Sequence, residues 1–265
     1  MRTPNEEISY RFTRAVVRTP CDNVVNALRS SDRGAPDAAV FCAEHAAYVD
    51  TLRSLGLEVT VLPALDEFPD SVFIEDTALC LPEGAIILRP GAASRRGEAR
   101  QSAAALSGLG LGLTEIEAPG TVDGGDILVT GSIILVGLSA RTNQAGIDSL
   151  REILGAWGYE TRAICTPADV LHFKSDCNIL DDHTLLCTSR LRGDPQLRDF
   201  RILAVPPGEE AAANSIRVND AVLVPRGFPG TAELLEKAGF DVLLLSASQA
   251  ALVDGGLSCM SLRLV

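Results

Sequence analysis

The chain has 265 residues, 46% of them hydrophobic and 22% charged, and a net charge of −12. That length suits one large domain or two small ones. An acidic chain without a basic run argues against a nucleic-acid or anionic-membrane partner, because both need clustered Lys and Arg, whereas a cationic ligand is attracted. No stretch approaches the ~20 apolar residues of a membrane helix, and MRTPNEEISYRF lacks the apolar run of a signal peptide. Seven scattered cysteines without a CxxC pair fit free thiols in a reducing cytoplasm. Cys165, His172, Cys177, His183 and Cys187 match no common zinc spacing.

Past an N-terminal extension (1–11), one order of elements recurs five times: a β-rich run, a turn, a helical pattern, often a glycine, and a second β-rich run. The first unit is FTRAVVR (12–18), a long loop (about 20–36), a helix from about Pro36 to Leu55, Gly56, and LEVTVLP (57–63). The second is AIILRP (85–90), a helix over 94–107 and LTEIEAP (113–119); the third is SIILVG (132–137), a helix over 144–157, Gly158 and YETRAIC (159–165). The fourth is HTLLCTSRL (183–191), a short helix near DPQLRDF and RILAVP (201–206); the fifth is AVLVPRG (221–227), a helix over 231–238, Gly239 and FDVLLLS (240–246). Ile147, Leu150, Ile153 and Leu154 fall on one helix face. Gly158 and Gly239 stand where a helix end wants positive φ. Runs such as VLLL and IILV suit strands covered by helices.

A polar loop follows each second run, then a further strand and a tight hairpin into the next unit, marked by Gly84, Gly131 and Asn219-Asp220. The last strand, LSCMSLRLV, has no following partner, and FTRAVVR has no preceding one. Pairing the two closes a ring. The expected fold is therefore α/β: a five-bladed ββαβ propeller of one domain (1–265), pseudo-five-fold, closed by its N- and C-terminal strands. An open α/β sheet is the alternative, but GLGLGL (108–113) follows a helix, unlike the nucleotide-binding glycine loop.

In such a ring the five polar loops open on one mouth. They hold Asp70, Glu75 and Asp76; Glu117, Asp123 and Asp126; His172 and Asp176; Glu209, Glu210 and Asn214; Asp254 and Cys259. The string VDGG occurs in two of them, at 122–125 and 253–256. A thiol with a histidine is a recurrent nucleophilic pair. Carboxylates beside a thiol raise its pKa, which makes sense where the substrate is a cation. A guanidinium suits such a mouth, since Asp or Glu clamps its planar fork bidentately and its charge favours the thiolate.

FPDSVFIED, RPGAASRRGE, EAPGTVDGGD, GLSARTNQAG, LHFKSD and DGGLSC, in this order, resemble the dimethylarginine dimethylaminohydrolases, guanidine-modifying enzymes of the pentein superfamily. The likeness runs from about Arg14 to the C-terminus. It implies Cys259 as nucleophile, His172 as general acid/base, and Glu117 as the acid that orients His172 or polarises the site. It implies Asp70, Glu75, Asp76 and Asp254 around the guanidinium and amino groups, Arg95 and Arg141 on the substrate carboxylate, and Leu28 and Phe73 as apolar contacts. Asp123 and Asp126 match no catalyst of the family. The loop around Leu28 looks like the family's mobile lid.

The implied reaction hydrolyses N-methylated arginine to citrulline and a methylamine without cofactor or built metal site. Zinc on Cys259 and His172 would be an adventitious inhibitor. Arginine deiminase, amidinotransferase or an inactive binding protein are the alternatives. The substrate is a small molecule, the compartment cytoplasmic, and the oligomeric state open.

Overall fold

The computed structural model describes residues 8–265; of the expected extension over 1–11, residues 1–7 lie outside the described residues. The short β-rich runs pair locally into five three-stranded sheets. In the first, β1 (Arg14–Arg18) lies between β15 (Ser261–Leu264) and β2 (Glu58–Leu62), antiparallel to the former and parallel to the latter. The other four sheets come from consecutive segments. They are β3 (Ala78–Leu81), β4 (Gly84–Ile87) and β5 (Leu113–Glu115); β6 (Ile127–Thr130), β7 (Ile133–Leu138) and β8 (Glu160–Cys165); β9 (Cys177–Asp181), β10 (Thr184–Cys187) and β11 (Arg201–Ala204); β12 (Ile216–Val218), β13 (Ala221–Pro225) and β14 (Asp241–Leu245).

Each middle strand is antiparallel to its inner neighbour and parallel to its outer one. The five-bladed α/β propeller is thus present, and its N- and C-terminal strands close one blade. The physical reason is connection length. A tight turn joins only antiparallel strands, while a parallel partner needs a long crossover.

Four crossovers contain an α-helix: α1 (Ala38–Ser54), α2 (Arg96–Gly108), α3 (Gln144–Trp157) and α4 (Pro229–Lys237). Helix α1 starts at Asp37, whose carboxylate accepts from Val40 N at 3.0 Å. Helix α3 ends at Gly158, at φ +93°. Its Ile147, Leu150 and Leu154 are fully buried, each worth about 1.5–3 kcal/mol relative to exposure. A further short helix, α5 (Ser248–Ala251), precedes the second VDGG. The fourth crossover departs from expectation: around DPQLRDF only a 3₁₀ turn forms, Pro195–Leu197. The run VLLL also departs. It lies on β14, an outer strand, and Leu243 and Leu244 are exposed, whereas IILV lies on the middle strand β7 and is largely buried.

The feature that builds the site is a ring of five 3₁₀ turns, one entering each inner strand. They are Ile74–Thr77 before β3, Gly124–Asp126 before β6, Phe173–Ser175 before β9, Glu210–Asn214 before β12 and Ser258–Met260 before β15. From the last turn through the first four in chain order, successive turns pack on one another. Between the fourth and fifth, Ser258 N donates to Asn214 Oδ1 at 3.1 Å. Both GG pairs let neighbouring turns approach closely. A Cβ on Gly124 would lie 2.0 Å from Glu75 O, and one on Gly256 would lie 2.3 Å from Asn214 Oδ1.

Candidate active site

A cavity of about 180 Å³ opens above the ring, and both Cys259 and His172 line it. Cys259 sits mid-turn, and its N–H donates to Gly256 O at 3.2 Å. The following strand β15 is clasped by β1, so a cysteine near the end of the chain is held on a fixed element.

His172 precedes the third of these turns, the one that enters β9. Its Nε2 lies 3.0 Å from Asp123 Oδ2. Its Nδ1 edge faces Gly125, where a Cβ would come within 2.6 Å. Asp123 is fully buried. It also accepts from Gly91 N at 2.7 Å and pairs with Arg141 at 3.3 Å. Burial opposes a charge on His172, but Asp76, the bond to Asp123 and the nearby Asp126 outweigh it and raise its pKa to about 9. Burial likewise opposes charge on Asp76. His172 and Arg95 prevail there, and its pKa falls to about 2. Burial pushes the Cys259 thiol up, Glu75 and Asp76 push it further, and it reaches about 11. The resting pair at neutral pH is therefore a thiol and an imidazolium.

Asp76 Oδ1 accepts from Gly125 N at 2.7 Å, and its Oδ2 meets Arg95 Nη1 at 2.5 Å. Arg95 is buried, not a surface charge. It also pairs with Glu98 at 2.8 Å and donates to Phe73 O at 2.9 Å. Burial lifts the Glu98 carboxyl to about 7 even beside Arg95. Asp76, Asp123 and His172 offer ligand atoms within 4.8 Å of one another. The guanidinium groups of Arg95 and Arg141 already engage two of them, so the three do not present a free ligand set to a metal ion.

The loop expected as a lid lies across the cavity. Leu28 N donates to Asp70 Oδ1 at 3.0 Å. Ser30 N donates to Asp254 Oδ2, and Arg33 pairs with Asp254 Oδ1 at 2.9 Å. Of the residues expected around the substrate, Leu28, Asp70, Phe73, Asp76, Arg95, Arg141 and Asp254 line the cavity. Leu171, Val253 and Gly255, with Arg29 and Ser30 of the loop, complete the wall.

Two expected residues are placed elsewhere. Glu117 is exposed just beyond β5 and does not line the cavity; the carboxylate on His172 is Asp123, six residues later. Glu117 lies ahead of the turn, while Asp123 is the residue that enters it. Glu75 is buried, but its carboxylate faces Lys174 and Arg263, away from the cavity. The neighbouring Asp76 takes the place facing the cavity. The sequence does carry a pointer to Asp123: it is the acid of the first VDGG copy, in phase with Asp254. Glu98 carried no such signal, because an acid in the first turn of a helix is ordinary.

Inward turns from separate blades, delivering a thiol, a histidine and acids to one axial mouth, define the pentein architecture. The chain belongs to the dimethylarginine dimethylaminohydrolase family. The family model described as N,N dimethylarginine dimethylhydrolase, eukaryotic, matches residues 19–172. The N(G),N(G)-dimethylarginine dimethylaminohydrolase of Pseudomonas aeruginosa is 40% identical over 253 residues, 95% of this chain and 99% of that one. A solved structure of the P. aeruginosa enzyme, a cysteine-to-serine mutant complexed with citrulline, superposes with a TM-score of 0.92 at 39% identity, over 96% of this chain and 100% of that one. A second structure, a histidine-to-glycine dimethylarginine dimethylaminohydrolase as an adduct with S-methyl-L-thiocitrulline, also gives 0.92 at 39% identity, over 95% and 99%.

Proposed function

We propose that this chain hydrolyses N-methylated arginine to citrulline and a methylamine, through a covalent intermediate on Cys259. The observation that carries the reading is the Cys259 thiol sharing one lidded cavity with the His172–Asp123 pair. In the resting protein the thiol is protonated, because burial and two acids disfavour its charge. A substrate guanidinium beside Asp76 brings a positive charge to the same cavity and favours the thiolate, the thiol proton passing to solvent. The thiolate adds to the guanidinium carbon. The departing amine takes the proton that His172 holds, and the C–N bond breaks to leave an S-alkylthiouronium. The neutral imidazole then takes a proton from water, whose oxygen adds to the same carbon. The C–S bond breaks as the adduct's hydroxyl proton passes to sulfur, citrulline leaves and the thiol is restored. Asp123 stabilises the imidazolium and fixes its ring.

Asp70 and Asp254 suit the substrate's amino group, and Arg141, 18% exposed at its side chain, suits its carboxylate. Asp70 and Asp254 also hold the loop backbone, so loop and ligand draw on the same acids. Arg95, saturated by Asp76 and Glu98, acts chiefly by placing Asp76. The fold reads as one domain, and the setting as cytoplasmic, with no cofactor, nucleic acid or membrane partner. Among the described residues no helix is long and apolar enough to cross a membrane.

The test is a substrate panel of arginine, monomethylarginine and dimethylarginine, with citrulline, dimethylamine and ammonia each measured. Dimethylamine and citrulline in equal amounts from dimethylarginine is the expected result. Ammonia from arginine as the main product would make the protein a deiminase. Citrulline from none of the three would sink the hydrolase reading.

A further inference from the structure

Glu75 stands next to Asp76 yet serves a different set of groups. Its Oε1 meets two cations, Lys174 Nζ at 2.5 Å and Arg263 Nη2 at 2.6 Å. Lys174 is on the turn that follows His172, two residues on. Arg263 Nη1 in turn donates to Ser258 O at 3.0 Å, and to Ser261 O at 3.2 Å and Oγ at 2.9 Å. Ser258 is the residue before Cys259. One carboxylate oxygen therefore joins the turn that bears the nucleophile to the turn that bears the acid/base. Glu75, Lys174 and Arg263 line a second cavity, of about 80 Å³, that shares no lining residue with the candidate active site.

We propose that Glu75 is a positioning residue: through Arg263 and Lys174 it fixes the Cys259 turn against the His172 turn, and so sets how thiol and imidazole meet one substrate carbon. The inference rests on the reading of those two residues as the reacting pair. A buried and a partly buried cation sharing one anion are held close. Without the anion they repel in a medium that screens poorly, and each is tied to a turn of the site. Glu75's own charge disfavours the thiolate, so its contribution to turnover is geometric and opposes its electrostatic effect on the thiol. That separates the two experimentally.

The experiment uses the full chain with Glu75→Gln and Arg263→Lys, both checked for folding by circular dichroism. Glu75→Gln is expected to lower kcat on the order of tenfold to a hundredfold, the scale of an ångström misplacement, with KM within about twofold. Alkylation of Cys259 by iodoacetamide, followed against pH without substrate, should move to lower pH, because a negative charge is gone. Arg263→Lys keeps its charge but loses the fork that reaches Ser258 and Ser261. It should reproduce the kcat loss with the alkylation profile nearly unmoved. A raised KM at wild-type kcat would make Glu75 a substrate contact, and wild-type kcat in both variants would leave it a stability role. Either overturns the proposal. An inactive wild-type protein would overturn the functional reading and this inference together, whereas an active wild type with unaffected variants overturns this inference alone.

Discussion

The two VDGG strings carry the same four letters at the same phase of the repeat, and they do different things. In the first, Asp123 has extended backbone, at φ −99°, and is fully buried against His172. In the second, Asp254 has φ +58°, a left-handed conformation rare outside glycine, and it grips the loop over the cavity. The glycines behave alike: added side chains at Gly125 and Gly255 would strike His172 and Phe73 at 2.6 and 2.2 Å. The repeat thus specifies close approach of the turns. The role of the acid is set by what the neighbouring blade brings to it.

That contrast can be broken at several points. The largest effect is expected outside both acids, at the thiol they flank. Cys259→Ser should lower citrulline production by about 10³-fold or more while citrulline binding, measured by calorimetry, persists. Wild-type turnover in that variant would end the covalent scheme.

Next comes Asp123→Asn, expected to cost on the order of 10²-fold in kcat. It should also lower the His172 pKa from about 9, seen by NMR titration of the imidazole, and move the alkaline fall of kcat/KM to lower pH. The stability consequence has a definite sign. The folded pKa of His172 lies above its ordinary 6.5, so its contribution is full below pH 6.5 and is lost as pH rises toward 9. Urea midpoints of the wild type and Asp123→Asn should therefore converge between those values. Midpoints that stay a constant distance apart would show that the pair does not titrate as described.

Asp254→Asn should act more mildly, because its partners are an exposed arginine and a backbone amide. A few-fold rise in KM, with faster amide exchange at Ser30, is the expected pattern. A loss as large as that of Asp123→Asn would erase the distinction between the two copies. The smallest effect belongs to Glu117→Gln, where kcat and KM should both stay within about twofold. A collapse of kcat there would restore to Glu117 the role that the geometry gives to Asp123.

Much of this was legible in the residues. Helix α3 falls on the expected 144–157 because its apolar spacing and Gly158 are local signals. The closed ring followed from an unpaired strand at each end. Cys259 and His172 could be named because few other side chains do such chemistry. The acids were harder, since a loop with Glu117, Asp123 and Asp126 offers three carboxylates, and sequence distance says little about which one turns inward. The same holds for Glu75 and Asp76, adjacent in the chain and opposite in direction.

By itself, then, the sequence determined the strands, four of the five crossover helices and the five-fold repeat, and it singled out the thiol and the imidazole as candidates, because these rest on periodicity, turn chemistry and residue type. Only the tertiary structure decided which acid meets which cation. Those pairings join residues 49 and 188 positions apart, Asp123 to His172 and Glu75 to Arg263. They arise where turns from different blades pack together, and no local rule of the chain encodes that contact.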